Sequence, residues 1–365
     1  MVEIRLESVS KRFGRTQALK NVSFHVRDKE FFSLLGPPGS GKTTLLRIIA
    51  GLEKPDEGNV YLDGEVVNEF PPRERDISML FENLAVYPNK TGFENIAFAL
   101  RIKKTPESEV KGRVEEVAKL LRIQHLLDRE PRTFSGGEIQ RVALAGTMVR
   151  RSKAMLLDEP LSNLDALLRL NMRAELKHLQ RDIGRTVVYA THDQAEATTM
   201  SDRICAMHRG EVDQVGTPDE LYHKPRTLFV ANLIGSVPMN FIDCTLEDKG
   251  PSKTVLNEGV FQVDVSKYRD IINEKAVGRE LVLGVRPEDI TIHNEPQAKD
   301  AVEAKVVVTE PLGDRVVVNV RAGKEKMIKV IGSPDERYEI GDRKWLQFNW
   351  DEIHIIDKKT EEVII

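Results

Sequence analysis

Cysteine and tryptophan are scarce in this chain, two of each among 365 residues, and aromatic residues of all kinds make up 6%. Cys205 and Cys244 lie far apart and in no metal-ligand spacing, so they read as buried thiols. Long hydrophobic runs are also lacking. No stretch approaches the roughly 18 apolar residues of a membrane-spanning helix, and the start Met1-Val2-Glu3-Ile4-Arg5 has no signal-peptide core. The chain is therefore expected to stay in the cytoplasm. An excess of one charge is missing too: the net charge is -4, with 31% charged residues of both signs interspersed, which argues against a general polyanion binder. What remains is a soluble globular composition long enough for two or three domains.

The stretch around which the rest is organised is Phe31-Phe32-Ser33-Leu34-Leu35-Gly36-Pro37-Pro38-Gly39-Ser40-Gly41-Lys42-Thr43-Thr44-Leu45. It reads as a buried strand, a glycine-rich loop and a helix start, and residues 36–43 fit G-x-x-x-x-G-K-[ST]. Backbone N–H groups of such a loop and the positive end of the next helix surround a nucleotide phosphate. Lys42 would place a charge on the β- and γ-phosphates, and Thr43 would offer its hydroxyl to Mg²⁺. Leu45, Leu46, Ile48, Ile49 and Leu52 form a helical stripe to pack on a sheet, with Gly51 as a stop signal.

Upstream, Val22, Phe24 and Val26 alternate with Ser23 and His25, as residues 2–6 also alternate, and predict a short antiparallel β layer. Phe13 between them offers a ring for stacking on adenine or a core anchor. Asp56-Glu57-Gly58 and Asp63-Gly64 are turn signals around a strand at 59–62. A strand at 77–81 delivers Glu82 to a loop. From about 93 to 150 the period is helical, as in Val110, Val114, Val117, Leu120 and Leu121, which reads as a helical insertion. It ends in Ser135-Gly136-Gly137-Glu138, a capping box that is either an ordinary helix cap or a second anion site. The strand Ala154-Met155-Leu156-Leu157 runs into Asp158 and Glu159. Acids at that end suit a division of labour, Asp158 on the metal and Glu159 on the attacking water. A further strand at 186–191 ends in His192, in the same layer.

Together these motifs resemble the ATP-binding cassette ATPases. Residues 36–43 look like their Walker A, Ser135-Gly136-Gly137 like their signature, and Leu156-Leu157-Asp158-Glu159 like their Walker B; Ser162-Asn163-Leu164-Asp165 looks like the D-loop and His192 like the switch histidine. The resemblance implies a P-loop NTPase α/β core with an antiparallel β layer and an inserted helical subdomain (about 88–152), together spanning 1–235. Its cofactors are ATP and Mg²⁺, with Thr43, Glu82 and Asp158 toward the metal. Residues 36–44, including Pro37, Pro38, Gly39, Ser40, Gly41 and Thr44, hold the phosphates, and Phe13 stacks on adenine. Glu159, His192, Lys42 and Glu82 are the catalytic set. Two copies meet head to tail, so that Ser135, Gly136, Gly137 and Asp165 complete the partner's site.

Three further strings, Ser236-Val237-Pro238-Met239-Asn240-Phe241, Leu283-Gly284-Val285-Arg286-Pro287-Glu288-Asp289 and Thr309-Glu310-Pro311-Leu312-Gly313, resemble the C-terminal domain of importer ATPases for maltose, multiple sugars and glycerol phosphate. His192-Asp193-Gln194-Ala195-Glu196-Ala197 and Gly216-Thr217-Pro218-Asp219-Glu220-Leu221-Tyr222 add to the likeness. Residues 236–365 are then an all-β, OB-like barrel with a regulatory or dimer-supporting role, and Val316, Val318 and Val320 alternate accordingly. Residues 301–365 hold 11 Lys and Arg against 13 Asp and Glu, so the basic footprint of a nucleic-acid barrel is missing.

The implied protein is an energising ATPase on the cytoplasmic face of a membrane. It would be a homodimer, or a heterodimer with a related ATPase, bound to permease subunits near the Glu82 loop and serving an extracytoplasmic solute-binding protein indirectly. Two residues depart from the family: Glu82 stands where glutamine is usual, and Gly146 where arginine is common. A second reading takes them as marks of a weakly hydrolysing regulatory half; a third is a soluble cassette ATPase acting on nucleic acid or ribosomes.

Overall fold

The computed structural model describes residues 2–365 apart from Ala85, Asn163, Pro251, Ser252, Lys324 and Glu325, and apart from the side chains of Leu179 and Ile183. The chain divides into two compact units, Met1–Asp219 and Glu220–Ile365.

In the first unit the alternating segments become β1 (Ile4–Phe13) and β2 (Thr16–Val26), an antiparallel pair. With β4 (Glu57–Leu62) and β5 (Glu65–Val66) they form a sheet in the order β2-β1-β4-β5. Gly58 lies inside β4 rather than in the turn before it. At φ 82° a Cβ there would sit 2.4 Å from the Glu7 and Ser8 carbonyl oxygens, so only glycine fits this irregularity against β1.

The second sheet runs β10-β9-β3-β8-β7-β6. Its strands are β3 (Phe31–Leu35), β6 (Ile77–Leu80), β7 (Ala154–Asp158), β8 (Thr186–Thr191), β9 (Arg203–His208) and β10 (Glu211–Gly216). The pairings of β3, β6, β7, β8 and β9 are parallel, and β10 adds antiparallel. The apolar runs in β3, β7 and β8 are continuous because both faces are covered. Phe31, Met155, Leu157, Val187 and Tyr189 enter the cluster that includes the helical segment, while Phe32, Leu34, Leu156, Val188 and Ala190 enter the cluster with β1 and β2.

Helix α1 (Lys42–Ala50) belongs to the latter cluster through Leu45, Leu46, Ile48 and Ile49. Gly51 caps it in the left-handed region, as its stop signal implies. Leu52 does not join the stripe. It lies beyond the cap and is exposed, because the left-handed turn breaks the helical phase. The insertion is helical as expected: α2 (Gly92–Ile102), α3 (Glu107–Leu120) and α4 (Gly136–Met148), with no strand between β6 and β7 among the described residues. Helices α5 (Ala166–Ile183) and α6 (Gln194–Met200) flank β8 in sequence.

The second unit contains two antiparallel sheets, ordered β13-β12-β11-β14-β20 and β15-β19-β16-β17-β18. The first comprises β11 (Asn240–Asp248), β12 (Thr254–Asn257), β13 (Gln262–Asp264), β14 (Glu280–Val285) and β20 (His354–Asp357). The second comprises β15 (Ile290–His293), β16 (Val302–Pro311), β17 (Val316–Ala322), β18 (Lys326–Gly332) and β19 (Arg343–Phe348). Their inward residues form one core, Leu281, Leu283, Val318, Val320 and Leu346 among them. Residues 220–235, placed by the sequence ahead of the boundary, pack with this unit. Arg286 donates to the carbonyl oxygens of Ile234, at 2.8 Å, and Tyr222, at 2.5 Å, closing 52 and 64 residues of chain.

Candidate active site

Parallel pairing decides where the chemistry can gather. Leu35 pairs with Thr191 and Asp158 with Ala190, so the carboxyl ends of β3, β7 and β8 lie side by side. From these ends leave the glycine-rich loop, the pair Asp158 and Glu159, and His192.

The loop is held tightly. A Cβ on Gly36 would meet the Met207 carbonyl oxygen at 2.2 Å, and Gly39 and Gly41 have φ of 79° and 100°. Gly41 precedes α1 without a side-chain cap, which leaves the first amides of the helix without a side-chain acceptor. Ser40 Oγ is buried with no hydrogen-bond partner among the described residues. Pro37 and Pro38 are exposed and have no N–H to give, so the amide donors of this loop are those of Gly39 to Thr43. Lys42 is 6% exposed and folds back over the loop, its Nζ donating to the carbonyl oxygens of Gly36 at 2.8 Å and Pro37 at 3.2 Å. Burial lowers its pKa, opposed by the charges of Glu159, Asp158 and Glu82. Thr44 follows on α1 and is half-buried.

Thr43 Oγ1 donates to Asp158 Oδ1 at 3.1 Å. Asp158 is 1% exposed, and burial pushes its carboxyl up to about 6; the Thr43 hydrogen bond pulls the other way, while the charges of Glu82 and Glu159 add to the rise. Glu82 itself is exposed in the loop after β6. Glu159 adopts φ 49°, an uncommon conformation for a residue with a side chain, and its N–H donates to Ala190 O at 3.0 Å. The turn aims its carboxylate back into the site: Oε2 lies 2.6 Å from His192 Nδ1, and Oε1 lies 4.0 Å from Lys42 Nζ.

The remaining candidates lie apart from this cluster. Ser135 is the N-cap of α4, its hydroxyl accepting from Glu138 N while Glu138 reaches back to Ser135 N. A Cβ on Gly136 would meet open space, and one on Gly137 would lie 3.2 Å from Leu164. Among the described residues no hydrogen bond or ion pair joins residues 135–137 to residues 36–44. Asp165 caps α5 by accepting from Leu168 N at 2.9 Å, and Asn163 lies outside the described residues. Phe13 is 47% exposed at the end of β1, with Lys11 Nζ 5.4 Å from its ring centroid.

The site also has a support that periodicity and motif spacing did not reveal. Glu196, 3% exposed, accepts hydrogen bonds from Tyr189 and Thr191 at 2.8 and 2.7 Å, and Thr191 Oγ1 accepts from Asp193 N. Arg173 donates to Asp193 at 2.9 Å. His192 thus sits between two anchored neighbours. Asp193 is also the N-cap of α6, its side chain accepting from the Ala195 and Glu196 amides.

The ABC transporter family model matches residues 19–162. A TOBE domain model matches residues 283–356, and a MalK OB fold domain model residues 235–290. The trehalose/maltose import ATP-binding protein MalK of Thermococcus litoralis is 44% identical over 376 residues, covering 100% of both chains. The chain belongs to the ATP-binding proteins of ABC transporters. Among other relatives of this ABC protein, the oligosaccharides import ATP-binding protein MsmX of Bacillus subtilis is 40% identical over 99% of each chain. The sn-glycerol-3-phosphate import ATP-binding protein UgpC 1 of Rhizobium johnstonii is 39% identical over 100% of this chain and 96% of its own. A dimeric post-hydrolysis state of the ATP-binding cassette MJ0796 bound to ADP and Pi matches with TM-score 0.55 at 33% identity, covering 59% of this chain and 98% of that one. This ABC protein binds ATP and is an ATPase by family, and its second unit is of the OB and TOBE kind.

Proposed function

We propose that this ATPase powers a membrane importer of sugars or sugar-like solutes, lying peripherally on the cytoplasmic face and working as a homodimer. The observation that carries the reading is the convergence of Lys42, Thr43, Asp158, Glu159 and His192 at three adjacent strand ends. Relatives named for trehalose/maltose, oligosaccharide and glycerol-phosphate import support the cargo class. No helix among the described residues is long and apolar enough to cross a membrane, so transport would need separate permease subunits, contacted near the Glu82 loop, and indirectly a solute-binding protein.

In this reading the amides of Gly39 to Thr43 and the Lys42 ammonium hold the ATP phosphates, and Phe13 stacks on the adenine. The donor set suits Mg²⁺: a buried carboxylate already bonded to a hydroxyl, among acids with one lysine between them. Thr43, Asp158 and Glu82 would hold the ion. When bound, Mg²⁺ neutralises charge developing on the phosphates. Glu159 takes the proton of the attacking water, and His192, held against it, donates toward the γ-phosphate. Ser135, Gly136, Gly137 and Asp165 serve the site of the second copy, since among the described residues the signature makes no hydrogen bond to its own phosphate loop.

One observation favours a weaker hydrolyser paired with an active homologue: the Glu82 charge raises the Asp158 pKa, where a neutral residue would not. Lys42→Ala tests the nucleotide assignment. It should abolish ATP binding in equilibrium titration, and unchanged affinity would refute it.

A further inference from the structure

A cationic cavity lies in the first unit, away from the nucleotide residues. It is a cleft of about 540 Å³ that shares no lining residue with the glycine-rich loop; its walls come from α3, the end of α4, the segment after it, the end of α5 and the residue just before β8.

 Three arginines line it, Arg113, Arg151 and Arg185, opposite an apolar wall that includes Val117, Leu120 and Met148.

We propose that this cleft binds a phosphate group, free or carried by a small metabolite, through Arg113, Arg151 and Arg185. Arg185 is 8% exposed, and its side chain makes one hydrogen bond among the described residues, to the Met148 carbonyl oxygen at 3.3 Å. That bond caps the end of α4 but uses one of five guanidinium N–H groups, and among the described residues no carboxylate lies within salt-bridge distance of the charge, Asp76 acting on it only from farther off. Arg113 Nε is buried with no hydrogen-bond partner among the described residues. A buried cation beside two others is costly unless an anion joins them; burial, then the charges of Arg151 and Arg113, push the Arg185 pKa down to about 10, against an opposing pull from Asp76.

Two of the arginines each have one carboxylate partner, and the Asp182 carboxylate at the cleft is paired with a histidine. Glu116 lies 3.3 Å from Arg151, Asp182 lies 2.9 Å from His178 on the exposed face of α5, and Glu109 holds the outer nitrogen of Arg113. A phosphate presents several acceptor oxygens to guanidinium forks at once, the geometry for which arginine is best suited. The volume falls within the range of about 300–1,000 Å³ typical of small-molecule sites, and the apolar wall would take the organic part of an ester.

The test is isothermal titration of the full chain, its nucleotide site filled with ADP and Mg²⁺, with glucose 6-phosphate and with inorganic phosphate. Glucose and chloride at equal ionic strength are the blanks. Saturable binding is expected, weakened about tenfold or more in Arg113→Gln and in the surface variant Arg151→Gln, and retained in Lys42→Ala. Tighter binding of the ester identifies a metabolite as the source, and equal binding identifies free phosphate. No saturable binding of either probe, or equal affinity in the wild-type chain and both arginine variants, would overturn the proposal. The Lys42→Ala arm separates this site from the phosphate loop, so the two assignments fail independently.

Discussion

His192 Nδ1 lies 2.6 Å from Glu159 Oε2, at the meeting of two strand ends whose residues are far apart in sequence. The contact is made possible by the left-handed turn at Glu159 and by the anchoring of Thr191 and Asp193 on either side of His192. If the imidazole acts on the γ-phosphate, His192→Ala should lower ATP turnover at least about a hundredfold and leave ATP binding within a few-fold of wild type. Rapid turnover in that variant would remove His192 from the mechanism.

Asp158 carries a pH dependence. Its carboxyl is raised to about 6 in the nucleotide-free chain, so below that pH a proton must leave before a cation can be held. Affinity for Mg²⁺ and ATP should therefore fall as pH drops through 6, by up to about tenfold per unit. Because the Glu82 charge contributes to the rise, Glu82→Gln should move this fall to lower pH. Titrations between pH 5 and 8, roughly the range around that value, check both statements. An unshifted profile would make the Glu82 charge irrelevant to the metal.

Arg75 joins α1 to the segment before β6. It is 4% exposed, and its guanidinium donates to the carbonyl oxygens of Ile48 and Ile49 at 2.8 and 2.9 Å, Val67 at 2.6 Å and Phe70 at 3.0 Å. Arg75→Ala leaves these buried acceptors unpaired and should cost about 3 kcal/mol in urea denaturation. A loss under about 1 kcal/mol would show that water replaces the side chain.

Much of this site was legible because its parts are local. The loop at 36–43, the buried strand before Asp158 and the capping box at Ser135 each follow from spacing within a dozen or so residues. Leu52 was misplaced because the stripe was extended through Gly51, where the backbone turns left-handed. The sequence places residues 220–235 with the first domain, whereas Arg286 ties Tyr222 and Ile234 to the second unit from more than fifty residues away. The support behind His192 was hidden for the same reason: Glu196 is an ordinary helix residue until the fold buries it beside Tyr189 and Thr191.

The most direct test of the account is steady-state ATP hydrolysis by the purified chain with Mg²⁺, with Glu159→Gln as the blank. Turnover well above a blank that still binds ATP is the predicted result and would establish Glu159 as the base of a self-sufficient engine. Equal turnover in both chains would contradict it.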